Sequence, residues 1–231
     1  MADFGGITQV SSSERAANDA ALVGLKLQRD GALFTSAWTM GLAMEGRVYV
    51  GNLGTATAPA TFSDSDTIST TEVDFDLLVP PGTVVLPLEI RVYNEAYGTA
   101  LQFECMASIG TGGTQTSGTT VTPRNLRADA PHASVCDVRG ATASGGTYMD
   151  ASTVAEFWRD GQQFAITKTD GAVATTAADP YIHIWRWSDG LVPPILYSTT
   201  AESRLTVFAS SQVGTGFITV IWAELPQQAI G

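Results

Sequence analysis

Apolar runs in this chain are short, and almost all of them stop at residues that favour turns. They lie near Leu22 to Gln28, Leu33 to Thr39, Arg47 to Val50, Thr57 to Thr61, Val73 to Val79, Val84 to Tyr93, Ala100 to Ile109, Phe164 to Thr167, Tyr181 to Trp187, Arg204 to Ala209 and Phe217 to Leu225. Four Asp-Gly pairs, Asp30-Gly31, Asp160-Gly161, Asp170-Gly171 and Asp189-Gly190, punctuate them, and both residue types tolerate the positive φ of a tight reversal. Many short strands with turn signals between them predict an all-β fold, a jelly-roll-like antiparallel β-sandwich with long loops.

The stretch VPPGTVVLPLEIRV, Val79 to Val92, qualifies that pattern. Alternation puts Leu86, Leu88, Ile90 and Val92 on one face and Val85, Pro87, Glu89 and Arg91 on the other. Pro87 cannot donate to a ladder, so its place is an edge or a bulge. The closing hairpin, Arg204–Ala209 and Phe217–Trp222 around SSQVGTG, is apolar on both faces: Phe217, Ile221 and Leu225 against Ile218, Val220 and Trp222. Such an arm is central between layers or sits against another subunit.

Helix is scarce. The best candidate is DASTVAEFWRDG, Asp150 to Gly161, with Ser152 or Thr153 as the cap, Glu156 three residues after Thr153, and Gly161 as the stop. Ser13 to Ala21 has almost no apolar face and is marginal alone. The runs GTGGTQTSGTTVT (Gly110 to Thr122) and GATASGGTYM (Gly140 to Met149) carry too little bulk to offset the entropy of ordering them. The expected organisation is therefore an N-terminal arm over residues 1–19 and a single sandwich domain over 20–231, with a loop-rich insertion around 110–160.

Composition narrows the function. Twelve Lys and Arg face 23 Asp and Glu in 231 residues, a net charge of −11, so a nucleic-acid backbone meets a field of the wrong sign. No apolar stretch reaches membrane-spanning length, and no basic segment followed by an apolar run opens the sequence, so neither insertion nor export is expected. Cys105 and Cys136 are too few for a disulfide framework or a zinc knuckle; one bridge, or two inert buried thiols, are the readings left.

Candidate sites are few. YIHIWRW places Tyr181, His183, Trp185 and Trp187 on one strand face, a row suited to stacking on sugar rings or to packing in a core or subunit interface. His183 and His132 are the only histidines and no G-x-S-x-G elbow occurs, so no triad and no multi-histidine metal site is indicated. SDSDT, Ser63 to Thr67, lacks the glycine and closing glutamate of a calcium loop. In TPRNLRADAPH the prolines hold Arg124 and Arg127 on an extended segment, where they are free to meet an acidic neighbour or simply to form a polar connection.

The VPPGTVVLPLEIRV segment, the long Gly/Thr loops and the hairpin RLTVFASSQVGTGFITVIWAEL resemble the jelly-roll virion proteins of tailed phages, in particular capsid decoration (cement) or spike proteins. The resemblance spans the middle and last thirds of the chain. It implies a homotrimer that binds the phage major capsid protein on the outer lattice of a virion assembled in the host cytoplasm, with no catalytic residue, metal or cofactor. Tyr181, His183, Trp185, Trp187 and Trp222 would then be candidate interface residues, and Arg124 and Arg127 candidate capsid contacts. Two alternatives stand beside it: a glycan- or receptor-binding tail or spike module using the same aromatic face, and a hydrolase on a β-sandwich.

Overall fold

The alternating apolar residues sort into two antiparallel sheets packed face to face. The computed structural model describes residues 38–62, 72–96, 102–113, 118–140, 149–163, 166–169, 172–175, 182–190, 193–210 and 214–226. In chain order the elements are α1 (Trp38–Met44), β1 (Val48–Leu53), β2 (Ala60–Thr61), β3 (Phe75–Val79), β4 (Thr83–Ala96), β5 (Gln102–Thr111), β6 (Thr119–Thr120), β7 (Arg124–Asn125), β8 (Asp137–Gly140), β9 (Ala155–Gln163), β10 (Ile166–Thr169), β11 (Ala172–Thr175), β12 (Ile182–Arg186), β13 (Ser203–Ser210) and β14 (Thr215–Pro226). The first sheet runs β12-β4-β14-β1-β7 with β2 beside β14, and the second runs β6-β8-β3-β13-β5-β9. The chain crosses repeatedly between them, as a sandwich with long connections requires. β10 and β11 pair with each other, Thr169 opposite Ala172 on either side of Asp170-Gly171.

Inner-facing side chains build the main core. Phe75, Leu77, Ile90, Val92, Leu205, Val207, Ile218, Val220 and Trp222 are sealed there, and Cys105 and Cys136 join them as free thiols. The expected closing hairpin does not form: its arms β13 and β14 do not pair but lie in different sheets, each as a central strand packed on both faces, which accounts for their two apolar faces. On the outward side of β14, Ala223 and Leu225 pack with Val48, Val84, Leu88 and Leu42 of α1 into a second cluster, flanked by Trp38, Trp187 and Tyr197.

Pro87 sits at a bulge. The ladder between β4 and β14 shifts register where Ile221 faces Glu89 and Trp222 faces Pro87, leaving Leu88 as the extra residue. Val85 exchanges two backbone hydrogen bonds of 2.9 Å with Leu196 on the other side, while β12 ends opposite Glu89. Pro87, two residues after Val85, turns its nitrogen toward that interrupted side, where no N–H is required. The bulge also overturns the simple alternation. Ile90 and Val92 face the main core together with Val85, whereas Leu86 and Leu88 go with Val84 to the second cluster.

The helix expected over Asp150 to Gly161 does not form. Asp150 Oδ1 accepts from the Ser152 N–H and hydroxyl, both at 2.8 Å, so the capping chemistry is present but closes one turn only. From Ala155 the chain pairs with β5, with a register shift that leaves Phe157 unopposed and allows Phe157 and Trp158 both to pack on the main core. Two helical turns in isolation are marginal, and aromatic side chains fit the pleated edge better. The Asp160-Gly161 pair accordingly lies inside β9 and is no reversal; a Cβ on Gly161 would lie 3.0 Å from Phe103 O, so the glycine answers a close backbone approach.

A helix appears instead at Trp38–Met44, where the end of the expected strand Leu33 to Thr39 folds inward on Leu42. Of the run Thr57 to Thr61 only Ala60–Thr61 is strand. The region around 110–160 is more than an insertion: β6 and β8 extend the second sheet, β7 the first, and Val121 and Val138 enter the core. The arm over 1–19, the candidate turns at Ser13 to Ala21 and Asp30-Gly31, the strand at Leu22 to Gln28 and the acidic run at Ser63 to Thr67 lie outside the described residues.

Candidate functional site

The aromatic row read from YIHIWRW is divided among three environments. Tyr181 lies outside the described residues. His183 is 0% exposed, stacked on Phe103 with ring centroids 5.0 Å apart. Trp185 is half-buried, edge-on to Phe157 at 5.0 Å. Trp187 begins a 3-10 turn and packs edge-on against Trp38, also at 5.0 Å, in the second cluster. Trp222 is 0% exposed in the main core beside Tyr49. Among the described residues no shared exposed face results: alternation along β12 holds for His183 and Trp185, but the strand ends before Trp187, and Trp222 reaches the core from a different strand.

His183 has a defined role where it stands. Its Nδ1 lies 2.9 Å from Asp160 Oδ2, joining the edge of the first sheet to β9, the edge of the second. Cys105, paired with Asp160 across the ladder, donates its thiol to the Asp160 carbonyl at 3.7 Å. Cysteine, histidine and aspartate thus gather at one corner, and burial first, with the Asp160 charge second, pushes the Cys105 thiol far above its ordinary range, toward the protonated form. Cys136 is held protonated in the same way, by burial first and by Glu224 second.

Arg124 is exposed on β7, opposite Val50. Arg127 is largely spent on the molecule itself. Its Nη1 donates to the Met44 carbonyl at 2.8 Å and its Nη2 to Asp129 at 2.8 Å. Asn125 Nδ2 donates to the Gly46 carbonyl at 2.7 Å and to His132 O at 3.0 Å. These bonds complete the end of α1, where the Arg47 N–H reaches Leu42 O, the Gly46 N–H reaches Ala43 O, and Gly46 adopts φ +72°. The loop seats Pro131 so close that a Cβ on Gly46 would fall 2.3 Å from its Cγ.

Two buried acids were not singled out by sequence reasoning. Glu224 shares the inward face of β14 with Trp222 and accepts at Oε1 from Trp222 Nε1 at 2.9 Å and from the Ser134 hydroxyl, and at Oε2 from the Val135 N–H at 3.1 Å. Ser134 in turn accepts from the Cys136 N–H at 3.1 Å, and Tyr49 donates to Ala133 O at 3.3 Å. Burial, then the nearby Glu224 carboxylate, pushes the Tyr49 phenol up to about 12. The signal was available: an acid two residues after Trp222 continues an inward row of apolar residues.

Asp76 lies on the outward face of the second sheet and is nevertheless buried, as are Arg204, Thr206, Ser108, Met106 and Phe208. Arg204 Nη1 donates to Asp76 Oδ2 at 2.6 Å, and Nη2 reaches Gly113 O at 3.3 Å. Burial outweighs that cation and raises the Asp76 carboxyl to about 6.

Among the described residues no group of three or more His, Cys, Asp or Glu side chains is placed to hold a metal ion, and no helix is long and apolar enough to cross a membrane. Comparison with family models, with curated proteins and with solved structures returned no match. The site chemistry therefore has to be read from the geometry alone. That geometry can fasten loops to sheets and sheet to sheet.

Proposed function

We propose that this chain is a virion structural protein, a capsid decoration protein that oligomerises on the head of a tailed phage and stabilises the shell. The observation that supports it most is how the reactive side chains are used. His183 is stacked and bonded to Asp160, both cysteines are buried thiols, and Arg127 is tied to the end of α1. Each of these ties strengthens a scaffold, and a cement protein needs a rigid scaffold more than a reactive centre. The hydrolase alternative loses His183 as an accessible base, and the glycan alternative loses the single row of exposed rings.

In this reading the partner is the major capsid protein, and the mechanism is mass action. A multivalent oligomer that binds assembled capsomers, and not their dissociated subunits, shifts the equilibrium toward the closed shell. Large apolar side chains remain exposed at Met40, Met44, Leu126, Val135, Ile182 and Ile195, and Arg124 adds an exposed cation in a chain of net charge −11. Native mass spectrometry of the purified chain tests the first half: a trimer is expected, and a monomer at every concentration would refute it. Co-sedimentation with purified phage heads lacking their decoration tests the second, with saturable binding as the expected result.

A further inference from the structure

We propose that the outward face of the second sheet binds a buried water molecule between Asp76 and Thr206, held as a fixed part of the fold. The register of β3 and β13 puts these two residues directly opposite one another, and each is 2% exposed. Arg204 commits Nη1 to Asp76 Oδ2 and Nη2 to Gly113 O, so it serves only one of the two carboxylate oxygens. Among the described residues, neither Asp76 Oδ1 nor Thr206 Oγ1 has a hydrogen-bond partner. Arg139, opposite Asp76 on β8, turns to Asp137 at 3.5 Å instead.

A bare carboxylate oxygen in such a place is costly, because its hydration is lost with nothing in return. Directly opposed residues on antiparallel strands carry their β-carbons about 4.5–5.5 Å apart, which lets one small molecule bridge the polar tips. Water has the required chemistry: it donates one hydrogen to Oδ1 and exchanges a second bond with the threonine hydroxyl. A metal ion is disfavoured by the guanidinium 2.6 Å from the same carboxylate, and an anion by the carboxylate itself. Such a water also stabilises the ionised form, opposing the rise that burial imposes on this carboxyl.

Crystal structures of the full chain and of Thr206→Val, at a resolution that shows ordered solvent, test the proposal. One water within hydrogen-bond distance of both Asp76 Oδ1 and Thr206 Oγ1 is expected in the first, with loss of that peak in the second. A direct Thr206 Oγ1 to Asp76 Oδ1 bond, or a dry gap, would overturn the idea. An NMR titration of the Asp76 carboxyl gives a second readout. The midpoint should lie below about 6 in the parent chain and move up in Thr206→Val, while Thr206→Ser, which keeps the hydroxyl, should leave it in place. A midpoint unmoved by Thr206→Val counts against the bridge.

Discussion

Glu224 and Asp76 are both buried acids on central strands, and their surroundings differ in kind. Glu224 is met by neutral donors: an indole N–H, a hydroxyl and a backbone N–H cover its two oxygens. Asp76 is met by a cation at one oxygen and by no described side chain or backbone group at the other. The difference teaches that a formal ion pair is not the better solution for a buried acid. A guanidinium brings its own desolvation cost, and here the balance still lifts the Asp76 carboxyl to about 6.

Removing the cation should give the largest effect. Arg204→Met leaves Asp76 buried without its partner and is expected to lower stability by about 3–5 kcal/mol in urea denaturation, whereas Arg204→Met combined with Asp76→Leu should recover most of the loss. If the double variant is as weak as the single one, the pair contributes more than the comparison allows. The next effect is in pH. A carboxyl raised from 3.8 to about 6 on folding gives stability that is fully present below pH 4 and is lost as pH rises through 6. The loss amounts to about 3 kcal/mol at most, and less where solvent reaches Oδ1. Denaturation midpoints measured from pH 3.5 to 7, in the parent chain and in Asp76→Asn, isolate this contribution, since the variant should lack that slope.

At the other acid the effects should be smaller. Glu224→Gln keeps the shape but turns an NH2 group toward donors, and a loss of about 2 kcal/mol is expected from thermal or urea unfolding. Ser134→Ala removes one donor to Glu224 and the acceptor for the Cys136 N–H, and about 1 kcal/mol should go with it. A Ser134→Ala loss as large as that of Glu224→Gln would mean that the hydroxyl, and not the set of donors, governs this acid.

Much of the fold was legible because strand alternation survives burial. The faces of β14 came out as read, with Ile218, Val220 and Trp222 on the core side, since that strand is regular from Phe217 to Ile221 and the bulged residue belongs to its partner β4. What was illegible came from tertiary choices. Ser152 and Thr153 really do form a capped turn, but the unpaired edge of β5 recruits the following residues into sheet. Leu88 reads as sharing a face with Ile90 and Val92 until a bulge, fixed by pairing with a strand more than a hundred residues away, redirects it to the second cluster. The aromatic row is divided for a related reason: the period of YIHIWRW holds only while the chain stays extended, and β12 stops at Arg186, one residue before Trp187. Glu224 and Asp76 were visible as inward or mid-strand acids, but their partners at Ser134 and Arg204 are distant in sequence.

The irregularity at Pro87 has a mechanical consequence. By handing Val85 and Ile90 to one interior and Val84 and Leu88 to the other, β4 joins β1 and β14 in lining both hydrophobic compartments. Loosening the helical cap would tug on the same backbone that anchors the centre of the sandwich, so the two compartments should melt together, and a probe in either one reports on both.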